Sequence, residues 1–428
     1  MENIGEEMYA LVKKLFPICR SISGEGVRHT LQEIQQHIPI TIHDVPSGTQ
    51  VFDWIVPKEW TIRTAYIENE QGDRIVDFKE NNLHLVGYSV PIDAYISLDK
   101  LQEHLYSLEE QPDAIPYITS YYKERWGFCL THNQRLKLKE GIYHVYIDSD
   151  LKDGYLNYGE MILPGESEQE VLLSTYICHP SMANNELSGP VVTTFLVKWL
   201  MSMSCKYTYR IVFIPETIGS ITYISRHLSI LKERVISGYN ITCIGDDRAY
   251  SYVPSRKGNT LADRAALNVL SFSQPEFKHY SYLDRGSDER QYCSPGVDLP
   301  VASVMRSKYG EYAEYHTSLD DLSLVTATGL FGGYEALRRC LELIEKNVYY
   351  EMKCLCEPQL GKRGLYPTLS TKKTGDIVRK MMDFIAYADG KKDLIDISNT
   401  IGISAWDLYP IIEELLAADI LFQNKTVL

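Results

Sequence analysis

The sequence is short of positive charge: 43 Lys and Arg stand against 57 Asp and Glu over 428 residues, a formal net charge of −14. Proteins that grip a phosphate backbone draw affinity from clustered Lys and Arg that displace counterions, so this deficit argues against a nucleic-acid partner. A long hydrophobic run is missing too. The longest apolar stretch, near Gly189 to Cys205, is broken by Lys198 and falls short of the ~20 residues that cross a bilayer. The start, MENIGEEMYALVKKLF, has acids where a secretory leader has basic residues. A cytoplasmic protein with no membrane contact is therefore expected. Nine cysteines, an odd number without repeated spacing, point to reduced thiols rather than a disulfide framework. The close pair Cys354 and Cys356 reads as structural.

What is present fits a chain of two or three domains with an ordinary 44% hydrophobic content. Residues 6–37 show helical spacing interrupted by the turn-rich PICRSISGEG. After Pro46 come short β-rich runs bounded by Pro, Gly, Asn and Asp, which predict a small inserted β domain over 45–148. From Gly154 strands and helices alternate: YLNYGEMIL, VLLSTYICH, then GPVVTTFLVKWLMSM, YRIVFIPE, SITYISRHLSIL and VISGYNITCIG. That rhythm predicts an α/β fold, a mainly parallel mixed sheet sandwiched by helices, built from residues 1–44 and 149–350. The tail, 358–428, reads as helix, helix-turn-helix and closing strand, a winged-helix pattern. Its recognition-helix candidate, Ser404 to Ala418, carries Asp407, Glu413 and Glu414 and no Lys or Arg, which favours packing or oligomer contacts over DNA and leaves homo-oligomer formation open.

Ligands of open α/β sheets bind at the carboxyl ends of strands. Four polar clusters fall there: His179 in ICHPSMANNELSGP, Glu216 in FIPETIGS, Asp246 and Asp247 in TCIGDDRAY, and His316 in YAEYHTSLDDL. Two His, a Glu and an Asp supply the nitrogen and oxygen donors that a zinc-like ion accepts. A lone strand-end His is more often a hydrogen-bonded structural residue; the joint order His, Glu, Asp, His carries the argument.

These clusters, in this order, resemble the co-catalytic zinc exopeptidases, the group of leucyl aminopeptidases, glutamate carboxypeptidases and glutaminyl cyclases. Tyr315-His316-Thr317 with Asp320, Ser188-Gly189 after His179, and GSDERQYCSPGVDLPVAS before the last ligand carry the likeness. Over nearly its whole length the chain resembles an aminopeptidase-like bacterial family often associated with polysaccharide biosynthesis. The resemblance implies a zinc hydrolase with Glu216 as general base and His179, Asp246 and His316 as ligands. Two positions depart from the pattern. Asn185 stands where a metal-bridging Asp is expected, a ligand by its carbonyl at most, and Thr217 stands where a second Glu is expected. One zinc is therefore favoured over two, with Glu186 able to restore the missing charge if the loop shifts by one residue. Arg248, Arg285, Arg306 and Tyr315 are the candidate substrate contacts, because guanidinium groups recognise carboxylate or phosphate and imply an anionic group on a small peptide or other amide. The competing expectations are an amide hydrolase acting on sugar intermediates and a non-catalytic scaffold on a degenerate peptidase fold.

Overall fold

The computed structural model describes residues 2–365 and 372–424. Its centre is an eight-stranded sheet of β1 (Thr41–Pro46), β2 (Tyr155–Leu163), β3 (Ser167–Tyr176), β4 (Tyr207–Ile214), β5 (Val235–Asn240), β6 (Ser251–Val253), β7 (Lys278–His279) and β8 (Val301–Met305), ordered β1-β2-β4-β3-β5-β8-β6-β7. The middle four, β4-β3-β5-β8, run parallel; β1 and β2 pair antiparallel to their neighbours, and β6 pairs antiparallel to β8 and parallel to β7. Strand β3 is buried on both faces from Glu170 onward, as a central parallel strand must be, and its run VLLSTY is apolar or small for that reason. Helices Glu2–Leu15, Ser188–Leu200 and Ala327–Lys346 pack together on one face. The chain leaves β3 to one side for β4 and returns to its other side for β5. That reversal opens a crevice at the carboxyl end of β3.

Between β1 and β2 lies an antiparallel sheet of strands Glu59–Glu68, Arg74–Asp77, Ile92–Ser97 and Ile142–Lys152. The long last strand pairs Lys152 with Glu59, so this β unit runs past residue 148 before the chain re-enters the main sheet. It does not stand apart: one apolar cluster runs from Ala65, Val145 and Ile147 to Leu172, Val212 and Ile214 of the main sheet.

The tail is a winged helix-turn-helix. Helices Lys372–Tyr387, Leu394–Ile401 and Ala405–Ala417 pack beside a sheet whose central strand is Tyr349–Met352, flanked by Asp389–Asp393 and Leu421–Asn424. The unit thus begins before residue 358, because its central strand is supplied by the segment that follows the last helix of the α/β domain. Of the expected span 358–428, residues 366–371 and 425–428 lie outside the described residues. The helix in the recognition position faces its own protein: Trp406 meets Phe272 edge-on at 6.4 Å and lies under Arg339 at 4.4 Å, and Lys346 sits 4.0 Å over Tyr409. Arg264 bonds Asp393 at 2.6 Å and Asp396 at 2.8 Å, fastening the tail to helix Leu261–Ser273. No described helix is long and apolar enough to cross a membrane.

Candidate active site

Just past the end of β3, His179 is held from beneath by two side chains with no solvent exposure. Glu186 Oε2 lies 2.9 Å from its Nδ1, and Arg20, from the turn-rich PICRSISGEG segment, donates through Nε to its carbonyl oxygen at 3.0 Å. Arg20 and Glu186 themselves stand 3.4 Å apart. Glu186 reaches His179 because Ala183–Leu187 forms a π-helical turn, whose extra residue rotates Glu186 toward the imidazole and Asn185 away from it. A carboxylate on Nδ1 fixes the proton there and leaves Nε2 with its lone pair toward the crevice. There Nε2 stands 3.7 Å from Glu216 Oε2.

Glu216 follows β4 at a strained corner. Thr217 has φ 63° and ψ −77°, and the Ile218 N–H donates to the Glu216 carbonyl at 2.8 Å, the geometry of a rare γ-turn. Asp288 holds the corner by accepting from the Thr217 N–H at 2.8 Å and the Ser220 hydroxyl at 2.7 Å, and Arg290 Nη2 donates to Thr217 Oγ1 at 2.7 Å. Burial, helped by the Asp288 charge, pushes the Glu216 carboxyl up to about 8. His316 enters from a loop with φ 57°. Its carbonyl accepts from the Tyr117 N–H at 2.9 Å, Pro116 and Thr317 form an antiparallel bridge, and Tyr315 stacks on its ring at 3.9 Å. The rings of His179 and His316 lie 5.5 Å apart, and Tyr117 is 5.1 Å from each. Burial lowers both imidazoles to about 3, so they are neutral at pH 7 with lone pairs free to act.

The resulting cleft, about 340 Å³, has Cys178, His179, Glu216 and His316 in its floor and wall, with Trp54, Tyr117, Tyr121 and Tyr122 of the β insertion as an aromatic roof and Arg290 beside them. A larger cavity of about 460 Å³ lies at the opposite strand ends, near Gln169, Tyr207, Val235 and Pro300, and no histidine or cysteine lines it.

The structure thus brings together His179, Glu216 and His316 and leaves the other expected residues elsewhere. Asp246 is buried with both oxygens engaged: Oδ1 accepts from Arg248 N and the Ser307 hydroxyl, Oδ2 from Ser307 N and Asn184 Nδ2, all within 3.0 Å. Its segment is pressed on the start of helix Ala327–Lys346, where a Cβ at Gly329 would come within 2.1 Å of the Gly245 carbonyl oxygen. Two residues past the end of β5 stands Thr242, whose hydroxyl is 2.5 Å from Tyr176 Oη; the same Tyr hydroxyl donates to Asn185 Oδ1 at 2.9 Å. Asn185 therefore spends its carbonyl inside the protein. Arg248 forms a two-pronged pair with Glu314 at 2.8 Å, and Arg306 bonds the Ala249 carbonyl at 2.7 Å over the Tyr250 ring. Arg285 lies against Tyr282, and Tyr315 buttresses His316 from outside the cleft lining.

Among the described residues, Cys178, His179 and Glu186 are the group whose donor atoms lie within 4.8 Å of one another. They make a poor ion cage: Glu186 is committed to Arg20 and His179 Nδ1, and burial holds the Cys178 thiol well above its usual range. Glu186 acts as the orienting partner of His179. Sequence reasoning missed Tyr117, Asp288 and Arg290; the last two lie within GSDERQYCSP, directly after Arg285, on which the expectation had fallen.

Residues 9–347 match the family described as Domain of unknown function (DUF4910), and residues 347–423 match a winged helix-turn-helix family. A chain of Clostridium acetobutylicum, provisionally named a polysaccharide biosynthesis protein with an aminopeptidase-like domain, is 46% identical over 401 residues, covering 93% of this chain and 92% of that one. A crystal structure from the same organism, described provisionally as a peptidase, superimposes with a TM-score of 0.93 at 44% identity, covering 99% of this chain and 97% of that one. The zinc aminopeptidase BSAP from Bacillus subtilis shares the fold at a TM-score of 0.57 and 11% identity, over 79% of this chain and 94% of its own.

Proposed function

Since the chain belongs to the DUF4910 family and has an aminopeptidase-like fold, we propose that it is a hydrolase that cleaves an amide or peptide bond of a small substrate in the cleft roofed by the insertion. The observation that carries this reading is the 3.7 Å approach of Glu216 Oε2 to His179 Nε2, with the His316 ring 5.5 Å from that of His179, at the carboxyl end of β3.

Two of the donors that a single zinc ion would take, His179 and His316, are in place at the cleft, while Asp246 is engaged elsewhere. His179 and His316 are neutral, and Glu186 fixes the tautomer of His179 as metal-bound imidazoles require. Bound there, zinc supplies Lewis acidity to the scissile carbonyl and acidifies water. A two-ion centre is not supported, because the Asn185 carbonyl is taken by Tyr176 and Thr217 brings no charge. Glu216, poised near neutrality, can take a proton from attacking water and return it to the leaving amine. Asp288 and Arg290 fix the corner that aims it, and the aromatic side chains of the insertion lie over the cleft. The name of the C. acetobutylicum relative favours a substrate from polysaccharide biosynthesis, an acylated sugar rather than a free peptide. The acidic composition and the inward-facing recognition helix support a site of action away from nucleic acid and membranes.

The test is elemental analysis of protein purified without added metal, followed by a screen of acylated amino sugars and dipeptides. About one zinc per chain, turnover lost on chelation, and a Glu216→Gln protein that keeps zinc but loses turnover are expected. A second reading, a binding protein on this fold, is favoured by the Tyr176 hydroxyl that occupies Asn185 and Thr242. Zinc at background level and no turnover would establish it in place of the first.

A further inference from the structure

Arg290 has an unusual position. It lines the cleft that holds His179, Glu216 and His316, it is exposed, and no carboxylate lies within 4.0 Å of it among the described residues. Three other arginines of the same domain are satisfied within the protein, Arg248 by Glu314, Arg256 by Asp298, and Arg306 by a carbonyl and the Tyr250 ring, while Arg285 lies against the Tyr282 ring away from the cleft lining. The acids flanking Arg290 in sequence are turned elsewhere. Asp288 Oδ1 faces Thr217 and Ser220, while Glu289 accepts from Asn240, Gly286, Ser287 and Tyr309. The one described hydrogen bond of Arg290 uses Nη2 on Thr217 Oγ1, so the rest of its donor fork is free for a ligand. The charges near Arg290, Glu216 and Asp288, act on it through space without a hydrogen bond, so its donor fork at the mouth of the cleft stays open to a ligand's negative charge.

The same mouth carries two large aromatic side chains exposed in the free protein, Trp54 at 40% and Tyr122 at 56%, packed edge to face at 5.8 Å. The Tyr122 hydroxyl is tied to the Ile55 carbonyl at 3.2 Å, so its ring is held rather than loose. A held aromatic surface beside an unpaired guanidinium suits a flat ring bearing an anion.

We infer that Arg290 is the substrate-anion anchor of this cleft and that the substrate is a ring-bearing amide carrying a carboxylate or phosphate, its ring lying on Trp54 and Tyr122. The inference rests on the hydrolytic reading of the cleft for the word substrate, but its test is binding alone. A pyranose and an aromatic amino acid share this chemistry, so both are probed in charged and neutral form: N-acetylglucosamine 6-phosphate against N-acetylglucosamine, and N-acetylphenylalanine against its amide.

Binding to the intact protein is followed by tryptophan fluorescence and by calorimetry. In the wild type at least one anionic probe binds about 10- to 100-fold more tightly than its neutral counterpart, the range of a charge-assisted hydrogen-bond pair. Arg290→Gln removes the preference, Arg290→Lys restores part of it, and Thr217→Val, which deletes only the internal bond of Arg290, keeps it. Trp54→Ala weakens both members of the pair alike. Equal affinity for charged and neutral probes, a preference that survives Arg290→Gln, or no saturable binding of any probe at millimolar concentration each overturns the inference. Loss of hydrolysis in the screen with the charge preference intact would instead count against the hydrolytic reading alone.

Discussion

Burial pushes the Glu186 carboxyl beneath His179 up to about 8 against the opposing Arg20 charge, so replacing Arg20 with Met would remove the cation that favours its ionised form. Both side chains are wholly buried, and their closest approach is 3.4 Å. At an effective dielectric of ~20, unit charges at that distance attract by roughly 5 kcal/mol. Losing one member of such a buried pair costs about 3–5 kcal/mol, because the survivor keeps its desolvation cost without its partner. Arg20 also gives up hydrogen bonds to the carbonyls of His179 and Leu15. We predict that Arg20→Met and Glu186→Gln each lower unfolding free energy by about 3–5 kcal/mol. The double variant Arg20→Met/Glu186→Gln should fall short of the summed losses by ~2 kcal/mol or more, since neither charge is then left alone. Urea unfolding of all four proteins measures the cycle; if either single variant is too unstable to purify, a stable double variant carries the same information. Single losses below about 1 kcal/mol, or strictly additive effects, would refute the claim that this pair is a coupled unit supporting the histidine.

Two further perturbations follow. Burial pushes the Asp393 carboxyl up, but Arg264, the Asp396 N–H and Asn347 outweigh it and hold the group below its ordinary value. A depressed carboxyl contributes stability above its unfolded value of ~4 that is lost as pH falls through the lower folded value. Tail docking, read from fluorescence near Trp406, should therefore weaken in that acid window. Asp393→Asn should be weaker at neutral pH and lack this acid limb, whereas an acid profile identical to wild type would count against the clamp. Tyr176→Phe leaves the Asn185 carbonyl and the Thr242 hydroxyl short of a buried partner, and a loss of about 1–3 kcal/mol in thermal stability is expected. An unchanged melting temperature would mean that the hydroxyl does not hold these two side chains.

The α/β core was legible because its signals are local. A both-faces-buried strand such as β3 must be a continuous apolar run, and the polar residues that end such runs, His179 and Glu216, are where a crevice opens. Asp246 misled for the same reason. The apolar run YNITCI continues past Asn240, where pairing with β3 stops, so the run's apparent end lies beyond the true strand end. The arginines failed differently: a sequence shows which guanidinium groups exist and not which ones already hold a carboxylate. Arg248 is taken by Glu314 from 66 positions away, and Arg290 holds no carboxylate among the described residues. The aromatic roof was equally hidden, since nothing local marks Tyr117 as the neighbour of two distant histidines.

The junction between Ile115–Tyr117 and His316–Ser318 has a consequence for biogenesis. Its hydrogen bonds join segments 203 residues apart, and they hold the loop that presents one of the two histidines. Contacts of such long sequence separation are closed late and slowly, since chain entropy must be lost before they stabilise anything. A nascent chain that has already completed the β insertion and most of the parallel sheet still has no cleft. The wall that carries His316 is completed only when this late segment docks on the earlier one.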